Sequence, residues 1–279
     1  MTRLVEGLAA IADTFEGVCV DQFGVMHDGQ TPYPGAVDAL ARLTAAGKAV
    51  VVLTNSGKRA APNIARVVEL GFPRGCFTDL VSSGEVAWDG LRTGRLGRPF
   101  VAGATLGLIG RSGDDYGLDD LGLHWTERWA DADGLLILGS DCPTTSLARY
   151  RERLAPAAAA KVPALCCNPD LAMLTRSGLQ PSAGAIAALY AELGGAVGFV
   201  GKPHAAIYRQ AGRYAGLDPA RLLAIGDSLD HDIAGGAAAG LKTALVRTGI
   251  LATLDDAAFA AALAAAPHQP DYILPSLRW

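Results

Sequence analysis

The stretch Val18-Cys19-Val20-Asp21-Gln22-Phe23-Gly24-Val25 places a carboxylate where an apolar run stops and a glycine turn begins. A short, unbroken apolar run predicts a strand buried on both faces, as in a parallel sheet. Three other segments end the same way. They are VVVLTNS at residues 50–56, VGFVGKP at 197–203 and LLAIGDSLDHD at 222–232, which bring Thr54-Asn55, Lys202, and Asp227 with Asp232 to the ends of their runs. In open α/β sheets the ligand crevice lies outside the carboxyl ends of the strands, so these residues are expected to converge however far apart they are in the chain. Carboxylates, a hydroxyl and a lysine facing one another suit a metal ion and a phosphoryl-like group.

Around these segments, Val/Ile/Leu-rich runs alternate with Ala-rich amphipathic stretches, the pattern of βα units. Helices are predicted at 35–46, after residue 56 as far as Gly71-Phe72-Pro73, and at 183–193, 205–215 and 255–265. Further strands are predicted at 197–200 and 243–247, and the tail at 270–274 is expected to add an edge element. Between residues 84 and 182 the texture changes: glycines are more frequent, and the predicted strands at 99–103, 134–139 and 162–167 lack a terminal Asp, Thr or Lys, although the last runs into Asn168-Pro169-Asp170. The expected organisation is a discontinuous core domain, 1–83 and 183–279, interrupted by a second α/β domain at 84–182.

The 279 residues are half hydrophobic, enough for one large or two ordinary cores. A net charge of −4, with no run of lysines or arginines, gives no support to a nucleic-acid partner. Cys19, Cys76, Cys142, Cys166 and Cys167 are odd in number, lack CxxC spacing and mostly fall in apolar runs, so buried free thiols in a reducing cytoplasm are expected. No stretch reaches the ~18 apolar residues of a membrane span, and a soluble cytoplasmic protein acting on a small molecule is expected.

Asp21 is the candidate nucleophile. Mg²⁺ prefers oxygen ligands, and Asp21, the Phe23 backbone carbonyl and Asp227 could supply them. Asp232 either reaches such a metal through a water or caps the helical run that follows it. Thr54, with the amides of Asn55 and Ser56, could hold phosphoryl oxygens, and Lys202 could balance charge in the transition state.

These segments resemble the haloacid dehalogenase superfamily, in the branch of phosphatases with a class IIA inserted cap. The family's DxDGV corresponds to residues 21–25, its Thr/Ser position to Thr54 in LTNS, its lysine to Lys202 in GKP and its GDxxxxD to Asp227 and Asp232. Asn168-Pro169-Asp170 matches an NPD sequence common near the end of the branch's cap, which makes Asn168 and Asp170 candidate substrate or cap residues, with Arg176 and the segment 141–145 beside them. The resemblance implies a Rossmann-like core with a parallel sheet and an α/β cap, an aspartyl-phosphate on Asp21, Mg²⁺ as cofactor, a small phosphorylated metabolite as substrate, and oligomers formed through the cap.

One position departs from the pattern. The family's second aspartate, which protonates the leaving group and then activates water, is Phe23 here. A positioned acid/base contributes typically ~10²–10⁴ in rate. Three readings follow: a phosphohydrolase suited to good leaving groups or using His27, His231 or Asp170 as a replacement acid; a metal-independent dehalogenase working through an Asp21 ester; or a sensor that binds a phosphorylated ligand without turning it over.

Overall fold

The computed structural model describes residues 2–142, 144–175 and 178–279; Arg176 lies outside the described residues. The strands are, in chain order, β1 (Arg3–Leu4), β2 (Gly17–Asp21), β3 (Ala49–Thr54), β4 (Asp79–Ser82), β5 (Thr105–Ile109), β6 (His124–Trp125), β7 (Gly134–Ile137), β8 (Ala164–Cys166), β9 (Ala172–Thr175), β10 (Gly178–Pro181), β11 (Val197–Phe199), β12 (Leu222–Gly226), β13 (Lys242–Val246) and β14 (Tyr272–Leu274). The helices are α1 (Ala36–Ala45), α2 (Ala60–Glu69), α3 (Ser83–Arg92), α4 (Leu147–Ala159), α5 (Ala183–Glu192), α6 (Ala205–Ala215), α7 (Gly235–Ala238) and α8 (Asp256–Ala265). The chain divides into two compact units, one of residues 1–54, 61–81 and 202–279, the other of 55–60 and 82–201.

The first unit is built on a sheet of order β1-β14-β13-β12-β2-β3-β4. The pairings from β1 through β3 are parallel, and the register sets Ile225 beside Val20 and Asp21 beside Leu53. Val18, Cys19, Val20, Val50, Val51, Val52, Leu223 and Ile225 are buried, so the central strands carry apolar side chains on both faces. This register puts the end of β2 between the ends of β12 and β3, where Asp21, Asp227 and Thr54 stand. The tail strand β14 lies inside the sheet, between β13 and β1, rather than at its edge.

The second unit holds a parallel sheet of order β11-β8-β7-β5-β6 and the antiparallel hairpin of β9 and β10. Side chains alternate across β7. Leu135 and Ile137 join a cluster with Tyr150, Leu154, Ile186 and Tyr190, whereas Leu136 and Leu138 join one with Ala87, Leu91, Phe100 and Tyr116. Helices α4 and α5 therefore cover one face of this sheet and α3 the other.

Two expectations are corrected here. The segment 183–201 was expected to rejoin the first sheet, but β11 pairs with β8, and Ala183, Ile186, Ala187 and Tyr190 of α5 are buried in the second unit's core. The inserted unit accordingly runs to residue 201. The strand predicted at 99–103 does not form: Gly103 turns the chain at a φ of 85°, and the strand is 105–109 instead. Its apolar run was masked by Gly107, which is small because a Cβ there would lie 2.7 Å from Trp129 and Leu135.

The Tyr190 hydroxyl donates 2.5 Å to the Val162 carbonyl and ties α5 to the entry of β8. Tyr190→Phe leaves a buried carbonyl without that partner and should lower the unfolding free energy by about 1–3 kcal/mol. Denaturant titration checks this; unchanged stability would mean that this hydrogen bond contributes nothing to holding α5 on β8.

Candidate active site

The chain after β12 turns back on its own strand. Ser228 accepts from His231 N at 3.1 Å and opens a wide π-type turn, Leu229–Ala234, that carries Asp232 over the end of β12. Asp232 Oδ2 accepts from Ser228 N at 3.2 Å. A Cβ on Gly226 would sit 2.0 Å from Asp232 Cγ, so the strand has to end in glycine for this carboxylate to fold back. The reading of Asp232 as a simple helix cap is corrected: α7 has no side-chain cap, and the carboxylate is buried against Lys202 instead.

Asp21, Asp227 and Asp232 each place a carboxylate oxygen within 4.8 Å of the others. Lys202 Nζ donates to Asp21 Oδ1 at 2.5 Å and to Asp232 Oδ1 at 2.8 Å, with only 3% of the lysine exposed. Lys202 arrives here by a different route from the one anticipated. The run before it, β11, belongs to the other sheet, so Lys202 does not extend a strand of the site's own sheet but opens the chain's return into the first unit, ahead of α6.

Asp227 is held from the opposite side by residues that the sequence reading missed. Ile250 N donates to its Oδ2 at 2.8 Å. The backbones of Gly24 and Gly249, at φ 86° and 56°, press against the same oxygen: a Cβ would come within 2.2 Å of it at Gly24 and 1.8 Å at Gly249. Thr248 Oγ1 ties the two loops by donating to the Gly24 carbonyl at 2.6 Å. The signal was available, because residues 248–250 follow the end of β13 and the strand-end rule applies to them too.

Thr54 is half-buried at the end of β3, one residue past the Leu53 that pairs with Asp21. Asn55 and Ser56 belong to the second unit. There Asn55 Nδ2 donates to Asp170 Oδ1 at 2.8 Å, Ser83 Oγ donates to Asn55 Oδ1 at 3.2 Å, and Asn168 Oδ1 accepts from Asp170 N at 3.2 Å. Asn168 thus shapes the turn from which Asp170 anchors the Asn55 side chain.

Of the replacement acids considered, His27 does not fit. It is buried, and its Nδ1 accepts from Gly29 N at 2.9 Å. Burial, with Arg66 nearby, pushes its imidazole down to about 4, so at neutral pH the ring is neutral, keeps only the Nε2 proton that its accepting Nδ1 requires, and is no imidazolium acid. His231 is engaged through its backbone, the N–H with Ser228 and the carbonyl with the Tyr208 hydroxyl at 2.7 Å.

The cluster is overloaded with negative charge. Burial, reinforced by Asp232 and Asp227, raises Asp21 well above the carboxylate range against the pull of Lys202. Burial and Asp232 push Asp227 up to about 6. Burial by itself would lower the Lys202 ammonium, but Asp21 and Asp232 outweigh it and carry the group well above its ordinary value. Hard carboxylate oxygens gathered around a charge deficit fit a divalent cation of the Mg²⁺ type.

In metal-free buffer Asp227 keeps its proton in the folded state up to about pH 6 but gives it up near 3.8 when unfolded. Between those values the folded state binds more protons, so this group makes stability fall as pH rises. Asp227→Asn should make the fall shallower, leaving the part that Asp21 contributes, raise the metal-free thermal midpoint above wild type at pH 7, and shrink the stabilisation that added Mg²⁺ provides. Thermal unfolding from pH 4 to 7, with and without Mg²⁺, checks all three; a wild-type midpoint indifferent to Mg²⁺ would contradict the cation assignment.

Comparison with known proteins agrees with this geometry. A haloacid dehalogenase-like hydrolase family model matches residues 18–124, and a second HAD-hydrolase-like model matches residues 199–279. Chronophin of Rattus norvegicus is 32% identical over 290 residues, spanning 96% of this chain and 89% of its own length. A haloacid dehalogenase-like hydrolase from Brucella suis superposes with a TM-score of 0.82 at 28% identity, covering 98% of this chain and 99% of the other. A glycerol phosphate phosphatase from Mycobacterium tuberculosis, solved in complex with calcium, superposes with a TM-score of 0.72 at 28% identity over 94% of this chain and 74% of its own. By the identity and coverage shared with chronophin, the chain belongs to the haloacid dehalogenase-like hydrolases.

Proposed function

We propose that the protein is a Mg²⁺-dependent phosphohydrolase of a small phosphorylated metabolite, with Asp21 as nucleophile. The observation that carries this reading is the cluster of Asp21, Asp227 and Asp232 around the buried ammonium of Lys202. A structural relative that is named a glycerol phosphate phosphatase and was solved with a divalent cation supports it.

In this reading Lys202 fixes Asp21 through Oδ1 and offsets charge as the phosphoryl group arrives. An Asp21 carboxylate oxygen forms a bond to phosphorus while the bond to the leaving oxygen breaks, its electron pair staying with that oxygen. Water then attacks the aspartyl-phosphate, releases phosphate and restores Asp21. The Thr54 hydroxyl donates to a phosphoryl oxygen, and the amides of Asn55 and Ser56, which follow it in sequence, are proposed to do the same. Asp21, Asp227, the Phe23 carbonyl and, through a water, Asp232 are proposed to hold Mg²⁺, which when bound neutralises the cluster and polarises the phosphoryl group.

The dehalogenase reading is disfavoured by the same cluster, because a metal-independent ester mechanism has no use for three adjoining carboxylates. The sensor reading draws on Phe23, whose side chain can neither give nor take a proton. Phosphate release across a substrate panel separates the two that remain. The expected result is turnover that requires Mg²⁺, that Asp21→Asn abolishes, and that Phe23→Asp raises by about 10²–10⁴ on alkyl phosphates. If wild type releases no phosphate from any ester but Phe23→Asp does, the protein is a phosphate-ligand sensor.

A further inference from the structure

Two large exposed apolar residues, Phe23 and Ile250, lie on the loops whose backbones hold Asp227, and the proposed reaction uses neither side chain. Phe23 is 46% exposed and Ile250 61%. Phe23 immediately precedes Gly24, and Ile250 immediately follows Gly249. Those two glycine backbones are packed on each other against Asp227: a Cβ on Gly249 would fall 2.7 Å from Gly24 Cα and 1.8 Å from Asp227 Oδ2. The Thr248 bond to the Gly24 carbonyl and the Ile250 N–H bond to Asp227 lock the same two loops. Both side chains therefore spring from the backbone that holds a carboxylate of the site.

The Phe23 ring is also held in place. It meets the His27 ring edge-on, with centroids 6.1 Å apart and planes at 83°, and His27 packs in turn on Phe72 at 6.5 Å. Gly29 at φ 95° passes close enough that a Cβ there would lie 3.1 Å from the ring. A half-exposed aromatic supported from behind is prepared to bury its outer face against a ligand, because its ordering has been achieved before binding.

We propose that Phe23 and Ile250 form an apolar lip that selects phosphate monoesters whose alcohol is flat, apolar and acidic, a phenol or a conjugated enol. The proposal rests on the phosphohydrolase reading and names the substrate class of that same site. The two features of Phe23 then have one explanation. When the bond from phosphorus to the leaving oxygen breaks, the oxygen keeps the electron pair. A phenolate or enolate spreads that charge over its own conjugated system and leaves without the proton that an aspartate at position 23 would supply. The flat body of the same leaving group is what an aromatic and a branched aliphatic side chain can cover. Neither Phe23 nor Ile250 can hydrogen-bond a polyol.

Calorimetric binding of phenylphosphonate and methylphosphonate in the presence of Mg²⁺ tests the lip without turnover, since the carbon–phosphorus bond does not hydrolyse. Wild type should bind phenylphosphonate roughly tenfold more tightly. Ile250→Ser and Phe23→Ala should each narrow that ratio to about threefold or less, and Ile250→Leu should retain it; Ile250 is mostly exposed, and thermal midpoints check that each variant is folded. Equal affinity of the two phosphonates for wild type overturns the lip, as does a ratio that neither polar nor truncated variant changes. Phenyl phosphate hydrolysis is measured beside it. A phenyl preference that follows the variants, with no release of phosphate, would support the lip while overturning the phosphohydrolase reading; binding of neither phosphonate would overturn both.

Discussion

One buried ammonium set among three carboxylates is the constraint around which the first unit is arranged. Each close pair of like charges costs on the order of 4 kcal/mol at ~4 Å in a medium of effective dielectric ~20, and each opposite pair returns a similar amount. With the carboxylate oxygens all within 4.8 Å of one another and Lys202 hydrogen-bonded to Asp21 and Asp232, attraction and repulsion nearly cancel. The cost of removing these groups from water is then left uncompensated. The neighbouring backbone is shaped by that crowding. Gly226 makes room for Asp232, and Gly24 and Gly249 make room for Asp227.

Two of the proposed site residues stand where the chain passes from one unit to the other. Thr54 is the last residue of the first unit before 55–60, and Lys202 is the first residue on the final return. On the far side of the first crossing, Asn55 is tied to Asp170 and Ser83, and Arg59 makes a paired hydrogen bond to Glu85 while lying 3.6 Å over the Trp88 ring. The segment after Thr54 is thus ordered by side chains of the inserted unit, a role for Asp170 distinct from acid/base chemistry.

What could be read from the sequence follows physical lines. Asp21, Thr54 and Asp227 were legible because each ends a strand of one parallel sheet, and a short apolar run with a polar terminus is a local pattern. Lys202 was found by the same rule although its run, β11, hydrogen-bonds in the other sheet; which sheet a short strand joins depends on pairing partners that no local pattern records. The boundary at 183–201 failed for the same reason, since α5 and β11 look like any βα element until Tyr190 and Ile186 are seen in the second core. Ile250 escaped because it acts through its backbone N–H, which side-chain identity does not advertise. Phe23 was visible at once as a missing acid, but its support by His27 and Phe72 joins residues 23, 27 and 72 across a loop and a distant segment.

The charge cluster and the lost acid bear differently on whether this site works as a catalyst. Phe23 is half-exposed and rests edge-on against His27, so position 23 adds no further charge to the crowded cluster. Three carboxylates around one lysine are another matter, because burial and mutual repulsion raise two of them and the folded state bears that strain whenever no cation is present. An arrangement this costly to folding, beside a position 23 that cannot donate a proton, fits the proposed reading in which a cation and a phosphoryl group are bound and the demand for a proton is what differs. Either the leaving group supplies its own stability, or the bond is never broken.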